Sequence, residues 1–323
     1  MKWSGKMTKQ NINAFVEGEK VNTLLLITGV TRGVTTSGAP YASLTLQDQT
    51  GSIEAKVWDV KDEQANVMIA GKVVNIAGEV LKYRNALQLR VFNVTAMEEG
   101  EFDPADFVSG SDLSNEYMKQ RIEGCVDSMQ DEVIRGVCQD VLQYFGDKIY
   151  SYPAAARNHH DFVGGLATHM IGMLDIAEAL CKQYPILNRD LLVSGVLLHD
   201  LGKIIELSGP ILTEYTLEGK LVGHISIMQS LVVDIAKKRG FEASEQVVLM
   251  RHLILSHHGE YEFGSPILPM IMEAEILNFV DNIDARMNMF QKALDPIEAG
   301  QFTPRVFSLE NRAFYKPSYL TKK

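Results

Sequence analysis

Cysteine is scarce in this 323-residue chain, and the three present, Cys125, Cys138 and Cys181, are widely spaced. Their odd number and the lack of any C-x-x-C pair exclude a disulfide framework and a zinc knuckle. They read as buried free thiols in helices of a cytoplasmic protein. No run of about 18 apolar residues occurs, so no segment is expected to span a membrane. The opening stretch, Met1 to Gln10, is polar with scattered lysines and has no apolar centre, unlike a secretory signal. Positive charge is also short. Lys and Arg number 31 against 41 Asp and Glu, a formal net charge of −10. That argues against a protein that coats nucleic acid by charge, because neutralising phosphates takes Lys and Arg. It weighs less against an enzyme whose bound divalent ion is the largest local charge in its site and reverses the local field.

What is present is an ordinary globular mixture, 46% hydrophobic and 22% charged, in a length that suits two domains. The first hundred or so residues carry strand signals. Tyr41 to Gln47 alternates strictly, with Ala42, Leu44 and Leu46 on one face. Ser52 to Trp58 does the same with Ile53, Ala55 and Val57 inward. Turns at 37–40 and 48–51 flank them, and further strands are expected at Val21 to Val34, Lys72 to Leu81 and Leu87 to Thr95. Short strands in this pattern suit a small closed barrel of the OB type. Val91-Phe92 breaks the alternation, the mark of a bulge.

The expected order is a barrel over 1–97, an acidic linker over 98–112, an all-α domain over 113–301 with a helical lead-in at 113–150, and a tail over 302–323. Helices are expected at Leu113 to Asp127, Asp131 to Gly146, Gly165 to Gln183, Arg189 to Lys203, Gly223 to Arg239, Ser244 to His258 and Ile267 to Leu294. The tail holds Phe307, Phe314, Tyr315 and Tyr319 among basic residues, a surface suited to burial against a second subunit of a homo-oligomer.

Histidine is absent from both ends of the chain: all eight lie between His159 and His258. His199-Asp200 follows the apolar run Leu191 to Leu198, where an unliganded pair would carry a desolvation cost. His169 precedes it, His224 and the pair His257-His258 follow, and Asp281 interrupts the apolar helix Ile276 to Ile283. Imidazole and carboxylate in the order H…HD…H…HH…D are ligands for Mn, Fe, Co, Ni or Zn, and one carboxylate can bridge two ions. His252, five residues before His257, reads as a helix-face histidine, because positions five apart do not share a side.

This order and spacing resemble the HD superfamily of metal-dependent phosphohydrolases, in its longer form that holds two metals. The resemblance implies that His169, His199, Asp200 and Asp281 hold a first ion. Asp200 bridges, and His224, His257 and His258 complete a second. With the barrel included, the chain resembles the YhaM-type 3′-5′ exoribonucleases of Gram-positive bacteria, an OB-fold followed by an HD domain. The stretches that carry this are Thr31-Arg32-Gly33 through Tyr41, Leu46-Gln47-Asp48, Trp58-Asp59, His159-His160 through His169, and Phe314-Tyr315-Lys316-Pro317. The cyclic-dinucleotide phosphodiesterases nearby carry Gly-Tyr-Pro where this chain has Gly264-Ser265-Pro266.

The expected substrate is single-stranded RNA, with single-stranded DNA as a second candidate, trimmed from the 3′ end to 5′-mononucleotides. Two divalent ions serve as cofactors, Mn²⁺ favoured by the family, with Co²⁺, Fe²⁺ and Mg²⁺ as alternatives. Asp200 and Lys203 take the catalytic roles, Lys203 as electrostatic stabiliser of the phosphate, or else as a solvated helix-end lysine. Arg157, His159 and His160 are candidates for substrate phosphate contacts. Outward Tyr41 and Trp58 are placed to stack bases, with Arg32, Lys56, Tyr83, Arg84 and Arg90 along the backbone. The plain alternative for Trp58 is cover for the linker or a neighbouring domain. Two competing functions are a free-nucleotide or cyclic-nucleotide phosphohydrolase, and a binding module whose HD domain has lost its metal.

Overall fold

The computed structural model describes residues 10–84, 86–98, 100–108, 110–155, 162–211 and 213–320. They divide into two compact units, Met1–Gly110 and Ser111–Lys323.

The first unit is a closed barrel with strand order β1-β2-β3-β5-β4. Its strands are β1 (Lys20–Val34), β2 (Pro40–Asp48), β3 (Gly51–Trp58), β4 (Val73–Tyr83) and β5 (Ala86–Ala96). β1 closes the ring by pairing β4 with its first half and β2 with its second, and the one parallel pair is β3 with β5. The alternation read from the sequence is the burial pattern. Ala42, Leu44, Leu46, Ile53, Ala55 and Val57 all point into a core shared with Leu25, Ile27, Ile76 and Leu89. Each large apolar side chain so buried contributes roughly 1.5–3 kcal/mol. A short helix, α1 (Asp62–Val67), was not foreseen in the segment between β3 and β4. Part of the stretch read as linker is docked on the barrel. Backbone carbonyls of Asp106 and Phe107 accept from the Gln49 N–H and the Gln47 Nε2, and Phe107 is buried.

The second unit is helical, with α2 (Asn115–Asp127), α3 (Glu132–Phe145), α4 (Gly165–Gln183), α5 (Arg189–Leu198), α6 (Lys203–Glu206), α7 (Leu217–Leu221), α8 (Gly223–Arg239), α9 (Glu245–Ser256) and α10 (Met272–Leu294). Ser114, Asp131, Asn188 and Ser244 cap α2, α3, α5 and α9 by accepting backbone N–H groups of the first turn. α5 is the centre: Leu191 to Leu198 is buried throughout and packs against α3, α4, α9 and α10. Two expected boundaries are corrected. The helix expected to run to Lys203 stops at Leu198, and Lys203 opens the separate α6. The helix expected from Ile267 begins at Met272, because Pro266 and Pro269 lack the N–H a helix needs. The tail folds back on α10: the Phe314 ring meets Phe290 edge-on at 4.7 Å, Leu309 is fully buried, and Lys316 Nζ donates to the carbonyls of Leu294 and Ile297. Phe302, Phe307 and Tyr319 stay exposed.

Candidate metal centre

The end of α5 sets the site. At Leu198 the helix gives way to a turn, which projects His199 and Asp200 from the most buried element of the unit. Around them stand His169 from α4, His224 from the first turn of α8, His257 and His258 after α9, and Asp281 from α10. Donor atoms of His169, His199 and Asp200 lie within 4.8 Å of one another, and so do those of His224, His257 and His258. Asp281 Oδ1 is 3.2 Å from His169 Nε2.

Each of these five histidines is held at Nδ1 by an acceptor. For His199 it is the Val196 carbonyl (2.9 Å), for His257 the Ile254 carbonyl (2.8 Å), and for His258 the Phe263 carbonyl (2.7 Å). For His169 it is the Asp284 carboxylate (2.7 Å) and for His224 the Glu206 carboxylate (3.2 Å). An Nδ1–H donated outward leaves Nε2 as a lone-pair donor toward the centre, the arrangement that fixes tautomer and ring orientation in metal-bound histidines.

Asp200 lies between the two groups. Its Oδ2 is 3.3 Å from His199 Nε2 and 2.7 Å from Lys203 Nζ, and its Oδ1 is 3.4 Å from His224 Nε2 and 3.8 Å from His257 Nε2. The Nε2 atoms of His199, His224 and His257 and Oδ1 of Asp200 are buried without a hydrogen-bond partner. Left so, each costs on the order of 1–3 kcal/mol. A set of buried imidazole nitrogens around a shared carboxylate fits divalent first-row ions.

The electrostatics agree. Burial pushes the Asp200 carboxyl up, but Lys203, His199 and His224 outweigh it and hold it well below its usual range. Burial favours a neutral Lys203, and the Asp200 carboxylate reverses that and raises it, so its ammonium stays charged. His257 and His258 are both lowered, chiefly by burial, and so stay neutral and able to donate a lone pair. Burial lowers His169 too, but its hydrogen bonds to Asp281 and Asp284 raise it to about 10. This is the behaviour of an imidazole between two carboxylates, one of which a cation would otherwise face.

The structure therefore brings together His169, His199, Asp200, His224, His257, His258 and Asp281, with Lys203 on Asp200. Arg157, His159 and His160 lie outside the described residues. His252 is turned to another task, accepting the Met270 N–H at Nε2 (2.9 Å). Two residues escaped the sequence reading. Glu206 accepts both the backbone N–H and Nδ1 of His224, and Asp284 orients His169. Asp284 had a signal, since it follows Asp281 by three and shares its helix face. It reaches His169 only because Gly172 on α4 is bare: a Cβ there would stand 2.1 Å from Asp284 Oδ1. Glu206 had none, since the turn that carries it back to α8 is not periodic.

On the barrel, Tyr41 and Trp58 are paired across β2 and β3, their rings 5.4 Å apart and tilted by 36°. The Tyr41 ring lies over Gly33, where a Cβ would meet it at 2.8 Å. Lys56 Nζ is 5.8 Å from the Tyr41 ring. Arg32 is turned aside, its Nη2 donating to the carbonyls of Ala65 and Met68 at the end of α1. Tyr83 is exposed at the end of β4 with the Arg84 guanidinium 5.3 Å from its ring, and Arg90 lies on β5.

A family model described as the HD domain matches residues 166–286, and one described as the OB-fold nucleic acid binding domain matches residues 25–96. An HD domain implies binding of divalent metal, and the donor groups above are able to hold it. Among solved structures, the barrel is similar to the second OB-fold domain of replication protein A from Methanococcus maripaludis, at 19% identity over 28% of this chain and 96% of that one, TM-score 0.24. A second structure of a replication protein A domain from the same organism matches at 21% identity over 28% of this chain and 94% of that one, TM-score 0.24. Along almost its whole length the chain is 45% identical to the 3′-5′ exoribonuclease YhaM of Geobacillus sp. (strain WCH70), over 94% of this chain and 93% of that protein. With that identity spanning both domains, the chain belongs to the YhaM 3′-5′ exoribonuclease family.

Proposed function

We propose that this protein hydrolyses single-stranded RNA from its 3′ end to 5′-mononucleotides at a two-ion centre, with Mn²⁺ as the working metal. The observation that carries the reading is Asp200, whose two carboxylate oxygens face two separate histidine groups. His169, His199, Asp200 and Asp281 would hold one ion, and His224, His257 and His258, with the far oxygen of Asp200, the other. Bound there, a pair of divalent ions would make water more acidic near neutral pH and would offset charge on the phosphoryl oxygens.

The chain's own residues do the rest. Acceptors at every Nδ1 fix the orientation of the imidazoles and aim Nε2 inward. Lys203, held charged beside Asp200, offers an ammonium to a phosphate that enters the centre. The barrel, with exposed Trp58 beside Tyr41 and Lys56 next to them, gives unpaired bases a surface that a duplex cannot use.

A time course on 5′-labelled RNA tests this. Single-stranded RNA should yield a ladder shortening from the 3′ end in Mn²⁺, and the same strand with its 3′ end in a duplex should resist. Equal cleavage of both, or release of label from the 5′ end, would refute it.

A further inference from the structure

β5 carries one residue more than its partner. Val91 pairs with Gly78 and Asn93 with Ala77, so Phe92 stands opposite nothing on β4. A bulge of this kind re-aims the side chain it carries. Here it leaves Phe92 about half exposed, at 46%, beside buried Val91. A bulge that turns a phenylalanine outward on a closed barrel makes its ring available to a partner.

Its neighbours supply the chemistry. On its other edge β5 runs parallel to β3, with Lys56 beside Arg90 and Val57 beside Val91. Trp58 and Phe92 are the next residue on each strand, and both are about half exposed, 49% and 46%. Tyr41 on β2 is in turn the register partner of Trp58. Tyr41, Trp58 and Phe92 thus occupy one row across three adjacent strands, about 10 Å from end to end. Lys56 and Arg90 form the next row: the ammonium is 5.8 Å from the Tyr41 ring, and the guanidinium 5.8 Å from the Phe92 ring. Two acids share this face: Glu54, which accepts from Gln88, and Glu79, the register partner of Arg90 on β4.

We propose that Phe92 is a third base-stacking platform, completing with Tyr41 and Trp58 an aromatic row that holds a run of unpaired RNA nucleotides while Lys56 and Arg90 follow their phosphates. Flat rings beside cations suit single-stranded nucleic acid: each base presents a π-face to stack on, and each phosphate a charge for the basic row. The inference rests on the reading of the chain as a single-strand exoribonuclease.

The test is the affinity of the full-length protein for 5′-labelled oligouridylate, measured by fluorescence anisotropy in chelator so that nothing is cleaved. Phe92→Ala should weaken binding by roughly 5- to 100-fold, the effect of removing one stacking ring. Phe92→Leu keeps apolar bulk without a flat ring and should lose most of the same affinity, whereas Phe92→Tyr should stay within about twofold of wild type. Because Leu and Tyr both fill the site, this pair decides the question even if Phe92→Ala folds poorly. Wild-type binding by Phe92→Leu would overturn the proposal. If wild type binds and shortens RNA while all three variants bind as tightly, only the role of Phe92 falls. If wild type neither binds in chelator nor shortens RNA in Mn²⁺, the proposed function falls with it.

Discussion

Asp284 and Glu206 hold the two imidazoles of the centre that are not anchored by backbone carbonyls. A carboxylate at Nδ1 makes the opposite nitrogen a stronger donor, and losing such a partner commonly costs 10- to 100-fold in metal affinity, on the order of that range here. Asp284→Asn should therefore weaken Mn²⁺ binding, and Glu206→Gln should weaken it through His224, both read by calorimetric titration into metal-free protein. Gly172→Ala should mimic Asp284→Asn without touching a charged residue, because the added methyl takes the space of the Asp284 carboxylate. Unchanged affinity in Gly172→Ala would show that this contact does not govern His169. The ligands themselves were legible because each is an oddity where it sits: a polar pair ending an apolar run, a carboxylate in an apolar helix. Glu206 was not, because a glutamate near a turn is ordinary until the fold returns α8 against it.

At the scale of elements, the strands and most helix starts follow from alternation and capping residues, and their ends are less legible. α5 stops at Leu198 although apolar periodicity continues, since Leu201 and Ile204 are also buried. The chain turns there so that His199 and Asp200 leave the helix axis, and tertiary packing overrides local propensity. The first turn of α3 offers a measurable check on the caps. Asp131 is raised by burial, yet its hydrogen bonds from Ile134, Gln246 and Val133 outweigh this and lower it. A depressed carboxyl stabilises the fold above the ordinary carboxylate range and loses that contribution as pH falls through it. Asp131→Ala should cost about 1 kcal/mol at neutral pH, and less in acid, by urea denaturation. An equal cost at both pH values would mean that the carboxylate charge plays no part. The bulge at Phe92 was visible as a broken alternation, but its consequence was not, because only the pairing of β5 with both β3 and β4 shows which way the extra residue faces.

For the whole molecule, under the proposed function an acidic chain would bind a polyanion by keeping its cations local: Lys56 and Arg90 on one barrel face, and Lys203 with a divalent metal at the centre. The buried Nε2 atoms of His199, His224 and His257 in the helical unit are donors that a divalent ion would satisfy. A ligand that binds only the folded state stabilises by mass action, about 2.7 kcal/mol at a hundredfold excess over its dissociation constant. Calorimetric melting in Mn²⁺ should therefore lie above melting in chelator, and identical curves would count against a metal centre. The central claim, that one carboxylate serves both groups, is tested most directly by Asp200→Asn. Mn²⁺ stoichiometry and turnover on 5′-labelled single-stranded RNA should be measured together for wild type and variant. The account predicts two ions and a 3′-shortening ladder for wild type, with weaker binding at both sites and no ladder for the variant. A variant that keeps both ions and its ladder would contradict it.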